Sequence, residues 1–459
     1  MRLFGIVAAA VAVAGLIVYS LAAGGATNGF VAQGSASPPA RVAGRTTTDG
    51  PGLLLIPDAA NDRVMAFDAE TGDLLDENLI PPDATHLATP RNALVNAAGD
   101  RLYVSDVVND VVQAYDLDGN YVGVFAPAGG PDPTILDNVQ GIAWRPNGNL
   151  LATVNLGANR DSVAEFDAAG VYLGNFIAQS AGGLNDPADV FLRAADWLVS
   201  GTASDAVHRY DLSGGYLSNL VSVNSFPQQI TEAANGNVLV ANFSGTEEGI
   251  LEYTAEGVLV GRYDPGTLTS YRGVYELPNG NILATTNTGV HEIDRSGNLV
   301  DSKILGPTGQ FIEFVPVSMS LVKTVGLDPH SCASTAVITA DIGNPVTYCY
   351  RMENTGSTVF DGHNLADSRL GTILSDYTYS LSPGASFFVT RTAVFTGSVI
   401  NQATWSTSRT ITSTQAVDAA AVIVAGPAAP LTCNGPVVNF DTGFPADWAT
   451  VDNSGRGLV

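Results

Sequence analysis

From residue 52 onward, apolar residues come in short runs broken by Gly, Pro, Asn and Asp, and within the runs they alternate with polar ones. That period belongs to half-buried strands, and no stretch carries the spacing of an amphipathic helix. The runs also recur as a unit. An aromatic or aliphatic residue, usually followed by Asp, precedes a Gly turn and another apolar pair. The copies are FDAETGDLL at 67, YDLDGNYV at 115, FDAAGVYL at 166, YDLSGGYL at 210, YTAEGVLV at 253 and IDRSGNLV at 293, with spacings of 48, 51, 44, 43 and 40. Upstream of most copies stands a turn opening an apolar run: AGDRLYVSD (98–106), NGNLLATVN (147–155), NGNVLVANF (235–243) and NGNILATTN (279–287). Asn-Gly before a β-branched or aliphatic run is a hairpin signal.

A 40–50-residue period with four short strands per unit is the signature of a β-propeller, and six units fit between residues 51 and 317. The first unit lacks an innermost strand, and GQFIEFVPV (309–317) is a strand without a unit. Phe311–Val317 is therefore expected to complete the first blade and close the ring, which removes the open sheet edges. The phrases VSDVVNDVVQAYDLDGNYVGVF and PDAANDRVMAFDAETG resemble NHL-type six-bladed propellers. The resemblance implies a fold and leaves function open, because such propellers host lactonases, lyases, sensors and plain binding modules.

Residues 318–425 change texture. SMSLVKTVGL, AVITADIG, VTYCYRMENTG and the runs after them read as short strands of an antiparallel sandwich of immunoglobulin-like size. VTYCYRMENTGSTVF, LSPGASFF and NQATW resemble the Ig-like repeat of bacterial surface proteins once catalogued as domain of unknown function eleven, which implies a spacer. Lys323 on the first strand and Asn401 on a late strand are a pair that an intramolecular isopeptide bond would join, with Glu353 as the assisting acid. The alternative is a solvated strand lysine.

The chain ends read differently. Residues 1–23 place one arginine before an apolar run that closes in small residues, the layout of a secretory signal helix. The run is also long enough to span a bilayer if retained. Residues 24–50, rich in Gly, Ser, Thr and Pro, read as a flexible linker. Residues 426–459 contain FDTGFPADWATVDNSG, which resembles the opening of a MAM-like or anchor-associated jelly-roll module, too short here for a core. Export permits disulfides. Of the three cysteines, Cys332 and Cys349 are expected to pair and Cys433 to find its partner elsewhere. The expected architecture is all-β: a signal helix, a six-bladed propeller and an Ig-like sandwich. The expected location is the cell surface or the medium.

Charge narrows the partners. Lys and Arg number 20 against 45 Asp and Glu, a net charge of −25, which repels nucleic acid and anionic membrane surfaces. Residues 1–317 carry 14 basic and 35 acidic residues, and 318–459 carry 6 and 10, so the acidity belongs to the propeller half. Only two of the basic residues are lysines. Inner strands begin at the channel mouth, so aligning their starts gives rings of side chains. One ring is Arg91, Gln140, Ala188, Gln228, Arg272 and Gln310; the next includes Asn92, Asp189 and Gln229. Two arginines and three glutamines form a donor-rich mouth suited to a carboxylate or a sugar. The plain alternative is a polar channel filled with ordered water. Calcium is the cofactor weighed for the second ring, with Asn92, Asp189 and Gln229 as ligands and Asn138 and Asp186 beside them. That is few oxygens for a hard cation that wants six to eight, so the expectation is no cofactor. No catalytic residue is assigned. His208 and His291 fill a repeat position that elsewhere holds Met65, Gln113, Ala164 and Leu251; a column that accepts Met, Ala and Leu is a packing position. No GxSxG, HExxH, CxxC or Walker loop occurs. The expected function is extracellular binding or adhesion to a glycan, peptide or anionic small molecule. The alternatives are a metal-dependent lactonase-type hydrolase or lyase, and a structural spacer.

Overall fold

The computed structural model describes residues 30–32, 52–224, 226–409 and 412–425. The segment read as a signal helix, most of the linker, Cys433 and the jelly-roll-like tail lie outside the described residues. Six four-stranded antiparallel sheets follow one another from Gly52 to Pro316, as the 40–50-residue period requires. In chain order their innermost strands are Glu313–Pro316, Pro90–Val95, Val139–Trp144, Pro187–Leu192, Pro227–Glu232 and Val274–Glu276. The late strand Glu313–Pro316 pairs with Gly52–Asp58, Leu55 opposite Glu313 and Gly52 opposite Pro316, so the first blade is completed from the far end of the ring. Apolar faces of neighbouring blades make the core. Tyr103, Phe125, Leu150 and Phe166 lie in one such layer, and Phe176, Trp197 and Tyr210 in the next.

The repeated motif has a physical reading at each of its two polar positions. The Asp folds its own turn: Asp116 Oδ1 accepts the backbone N–H of Asp118 and Asn120, and Asp167, Asp211 and Asp294 do the same in their blades. This side-chain-to-backbone capping is why Asp recurs in such turns. The Gly is needed twice over. Gly170 has φ 76°, and a Cβ there would run into the Phe125 carbonyl of the preceding blade. Gly119, Gly214 and Gly257 stand in the same relation to Leu79, Phe176 and Leu220. In the second to fifth blades the turn is thus locked under the outer strand of the blade before it.

Residues 319–425 form two facing sheets. One holds Met319–Gly326, Pro345–Asn354 and Ser386–Val394; the other holds Val337–Asp341, Phe360–Asp367, Gly371–Leu381, Val399–Arg409 and Thr412–Ala425. Tyr348, Tyr350, Phe360, Phe387, Val389 and Trp405 fill the space between them. Two expectations are corrected. The sandwich is not purely antiparallel, since Val337–Asp341 runs parallel to Thr412–Ala425. Nor is the whole of 24–50 without structure: Phe30–Ala32 is a strand paired with Ser386–Val394. The free edge of that sheet offers unpaired backbone groups to any extended segment. The Cys332–Cys349 disulfide is formed.

The sandwich joins the end of the propeller away from the inner-strand starts. Val359 N–H donates to Gly99 O at 3.0 Å, and Ser357 N–H to Pro316 O at 2.8 Å. Gly99 lies in the turn after an inner strand and has φ 73°; a side chain there would meet Ser357 and Pro383.

Candidate functional site

The channel mouth is shaped by residues that lead into five of the inner strands. Thr89, Asn138, Asp186, Phe226 and Ser270 all sit in the left-handed region, with φ between 56° and 67°. That conformation is costly for Thr and Phe. A carboxylate from the preceding blade holds each one. Asp62 accepts the N–H of Thr89 at 3.1 Å, Asp110 that of Asn138 at 2.7 Å, and Asp161 that of Asp186 at 2.9 Å. Asp205 and Glu248 do the same for Phe226 and Ser270, at 3.3 and 2.6 Å. At the closure Asp58 accepts Thr308 N–H at 3.0 Å. Part of the acidity of the propeller is therefore an inter-blade clasp around the mouth.

One layer down, hydroxyls from the second strands pin the inner strands. Ser105 Oγ accepts Asn92 N–H at 3.0 Å and donates to Gln140 O of the next blade. Thr153 accepts Gly141 N–H, Ser200 accepts Asp189 N–H, and Thr285 links Gly273 N–H to Gln310 O. The fifth blade has Ala241 at this position, and there Gln229 supplies the link. Its Oε1 accepts Val274 and Ile312 N–H at 2.9 and 2.8 Å, and its Nε2 donates to Ile312 O.

Of the ring expected from the sequence, Arg91, Gln228 and Gln310 are in contact, and Arg272 and Gln140 are not joined to them. Arg91 reaches across the channel and donates to the Oε1 atoms of Gln228 and Gln310. Its guanidinium also covers the Phe311 ring, 4.7 Å from the centroid. Arg272 stacks on Phe243 at 4.9 Å and donates to Ser270 O at 3.2 Å. Gln140 stays on its own blade, donating to Asn138 Oδ1 at 3.2 Å, and its Oε1 is buried without a partner among the described residues. Arg91 Nε and Asn92 Oδ1 are likewise buried and unpartnered. Among the described residues neither Arg91 nor Arg272 makes an ion pair. Burial, and then the Arg272 charge, push Arg91 down to about 9.

The second ring is engaged in holding blades together. Asp189 accepts N–H groups of Val190 and Ile230 with its two oxygens, at 2.9 and 2.8 Å. With Gln229 occupied as above, Asn92 is the member of that expected trio whose side-chain oxygen is unengaged. Asp186 accepts from Thr202 Oγ1 at 2.7 Å. Among the described residues no three His, Cys, Asp or Glu side chains cluster as a metal site would need. The sequence did not single out Glu313, on the strand that closes the ring. Burial and the nearby Asp189 charge raise it to about 8, while burial raises Asp189 to about 6. The channel therefore carries two cations and two reluctant acids. The histidines are core residues, as the repeat column implied. His208 and His291 are each 1% exposed, and burial lowers His208 to about 4.

No protein-family model matches the chain, and no curated protein matches it. Among solved structures, a chain of a nidogen/laminin complex superposes with a TM-score of 0.45 at 13% identity, over 57% of this chain and 98% of that one. A gluconolactonase from Xanthomonas campestris gives 0.41 at 17% identity, over 48% and 78%. A protein from Desulfotomaculum acetoxidans gives 0.40 at 15%, over 57% and 98%. The class is set by the six closed sheets: this is a β-propeller protein with an appended β-sandwich. Its site rests on its own geometry.

Proposed function

We propose that the propeller is an extracellular recognition module that takes an anionic, hydroxyl-rich ligand, such as a sugar acid, at the Arg91–Arg272 mouth, with the sandwich as an Ig-like spacer. The observation that supports this reading most is Arg91. A largely desolvated guanidinium without a carboxylate partner is unfavourable, and this half-buried one is held by the oxygens of Gln228 and Gln310 while its Nε stays unpartnered among the described residues. A carboxylate matches the guanidinium fork, and sugar hydroxyls match the glutamine amides. Export to the surface or medium fits this reading and the disulfide. Glucuronate is the probe. Titration calorimetry of the full chain is expected to give binding that Arg91→Ala with Arg272→Ala removes. Affinity unchanged in the double variant ends the proposal.

A second reading, a lactonase-type hydrolase, is favoured by one feature, the pair of raised acids Asp189 and Glu313 in the channel. Carboxylates poised near neutrality are suited to proton transfer. Its mark is lactone turnover that calcium supports, a chelator abolishes and Glu313→Gln loses. Turnover indifferent to all three excludes it.

A further inference from the structure

The sandwich contains a charged cluster that neither reading of the propeller uses. Lys323 is fully buried at the centre of the sandwich, on the strand Met319–Gly326 that leaves the propeller. Its Nζ donates to Asp367 Oδ2 at 2.9 Å and to the main-chain oxygen of Asn401 at 2.7 Å. Asp367 and Asn401 belong to the opposite sheet, on Phe360–Asp367 and Val399–Arg409. The rings of Tyr348 and Tyr350 lie 4.9 and 5.2 Å from Nζ and wall it off. Tyr350 donates its hydroxyl to the same Asp367 oxygen. Asn401 is itself fully buried. Its Oδ1 accepts from Ser368 Oγ at 3.1 Å, while its Nδ2 has no hydrogen-bond partner among the described residues.

A lysine, a carboxylate and a half-satisfied amide in a dry aromatic box are hard to explain as stability alone. A buried ion pair is often no better than apolar residues of the same shape, and an unpartnered amide N–H₂ is a direct cost. As reactants the same groups are all in use. We infer that Lys323 and Asn401 form an intramolecular isopeptide bond across the two sheets, with Asp367 as the acid that moves the protons. The acid expected from the sequence, Glu353, is corrected. It lies on the outer face beside Arg351, its side chain 40% exposed.

The step balances without a co-reactant. Asp367 takes a proton from the Lys323 ammonium and leaves a neutral amine, a change that burial already favours. The amine lone pair forms the Nζ–Cγ bond, and the carbonyl pair moves onto Oδ1, where the Ser368 hydroxyl donates to it. Asp367 passes a proton from Nζ to Nδ2. The Cγ–Nδ2 bond then breaks and ammonia leaves, the remaining proton staying on Asp367. Nothing is oxidised or reduced. The burial of both residues and the hold of Nζ on the Asn401 main chain supply the dryness and proximity such a step needs. The product ties the strand that leaves the propeller to the far sheet by a covalent bond.

The test is a peptide map by mass spectrometry of the full chain, reduced to open Cys332–Cys349. The segments holding Lys323 and Asn401 are expected as one linked species, lighter than their sum by one ammonia. Glu353→Gln is expected to stay linked, and Asp367→Asn and Asn401→Ala to give separate peptides. Separate peptides from the folded natural chain overturn the bond whatever the variants do. A linked map from Asp367→Asn overturns the role of that acid.

Discussion

Two side chains, His208 buried and Glu313 half-buried, give the propeller opposite pH limbs. His208 is neutral when folded, its Nε2 hydrogen-bonded with Ser204 Oγ at 2.8 Å. The unfolded chain binds a proton near 6.5, which the folded one refuses until about 4, so stability is lost as pH falls through that window. The loss amounts to about 3 kcal/mol at most for a shift of this size. Glu313 runs the other way. Folded, it keeps its proton to about 8 against 4.5 unfolded, so its contribution is complete below 4.5 and lost as pH rises to about 8. Melting temperature against pH is therefore expected to flatten on the acid side in His208→Gln and on the alkaline side in Glu313→Gln. Parallel curves for natural and variant chains would contradict both assignments. The cluster around Lys323 shows how far single residues were legible. Strand position alone picked out Lys323 and Asn401. The acid was missed although the alternation was readable: Tyr350 and Met352 face inward, so Arg351 and Glu353 face out. His363, Leu365 and Asp367 share the inner face of their strand.

At the level of elements, the repeat was readable because each motif folds its own turn, within a few residues. The clasp around the channel mouth was not. It joins a turn carboxylate in one blade to a backbone N–H in the next, more than twenty residues away, at a spacing that varies from blade to blade. No local pattern encodes such a pairing. The two kinds of turn glycine lead to a graded prediction. Gly148 has φ 88° and open space around its Cα, so Gly148→Ala carries the conformational cost alone, about 1 kcal/mol. Gly170→Ala adds a collision with the Phe125 carbonyl, and the sum is expected to exceed about 3 kcal/mol. Urea denaturation of the two variants checks the order. Equal losses would mean that the blades are not locked through this turn.

For the whole molecule, the attachment of the sandwich at Gly99 and Pro316 leaves the clasped mouth on the opposite end of the propeller. A donor-rich opening is thus set in an acidic body, which favours anions at the mouth and disfavours anionic surfaces elsewhere. The six-bladed ring and its closure by the strand at 311–317 were legible from the period and from one missing strand. The mouth was legible as a column of side chains, but the spanning of the channel by Arg91 and the presence of Glu313 beneath it arise only when the ring closes. The most direct measurement is a crystal structure of the full chain grown with glucuronate. The expected result is the carboxylate on Arg91 and Arg272, with hydroxyls against Gln140, Gln228 or Gln310. Glucuronate on a blade edge, or a mouth filled by water alone at saturating concentration, would contradict the account.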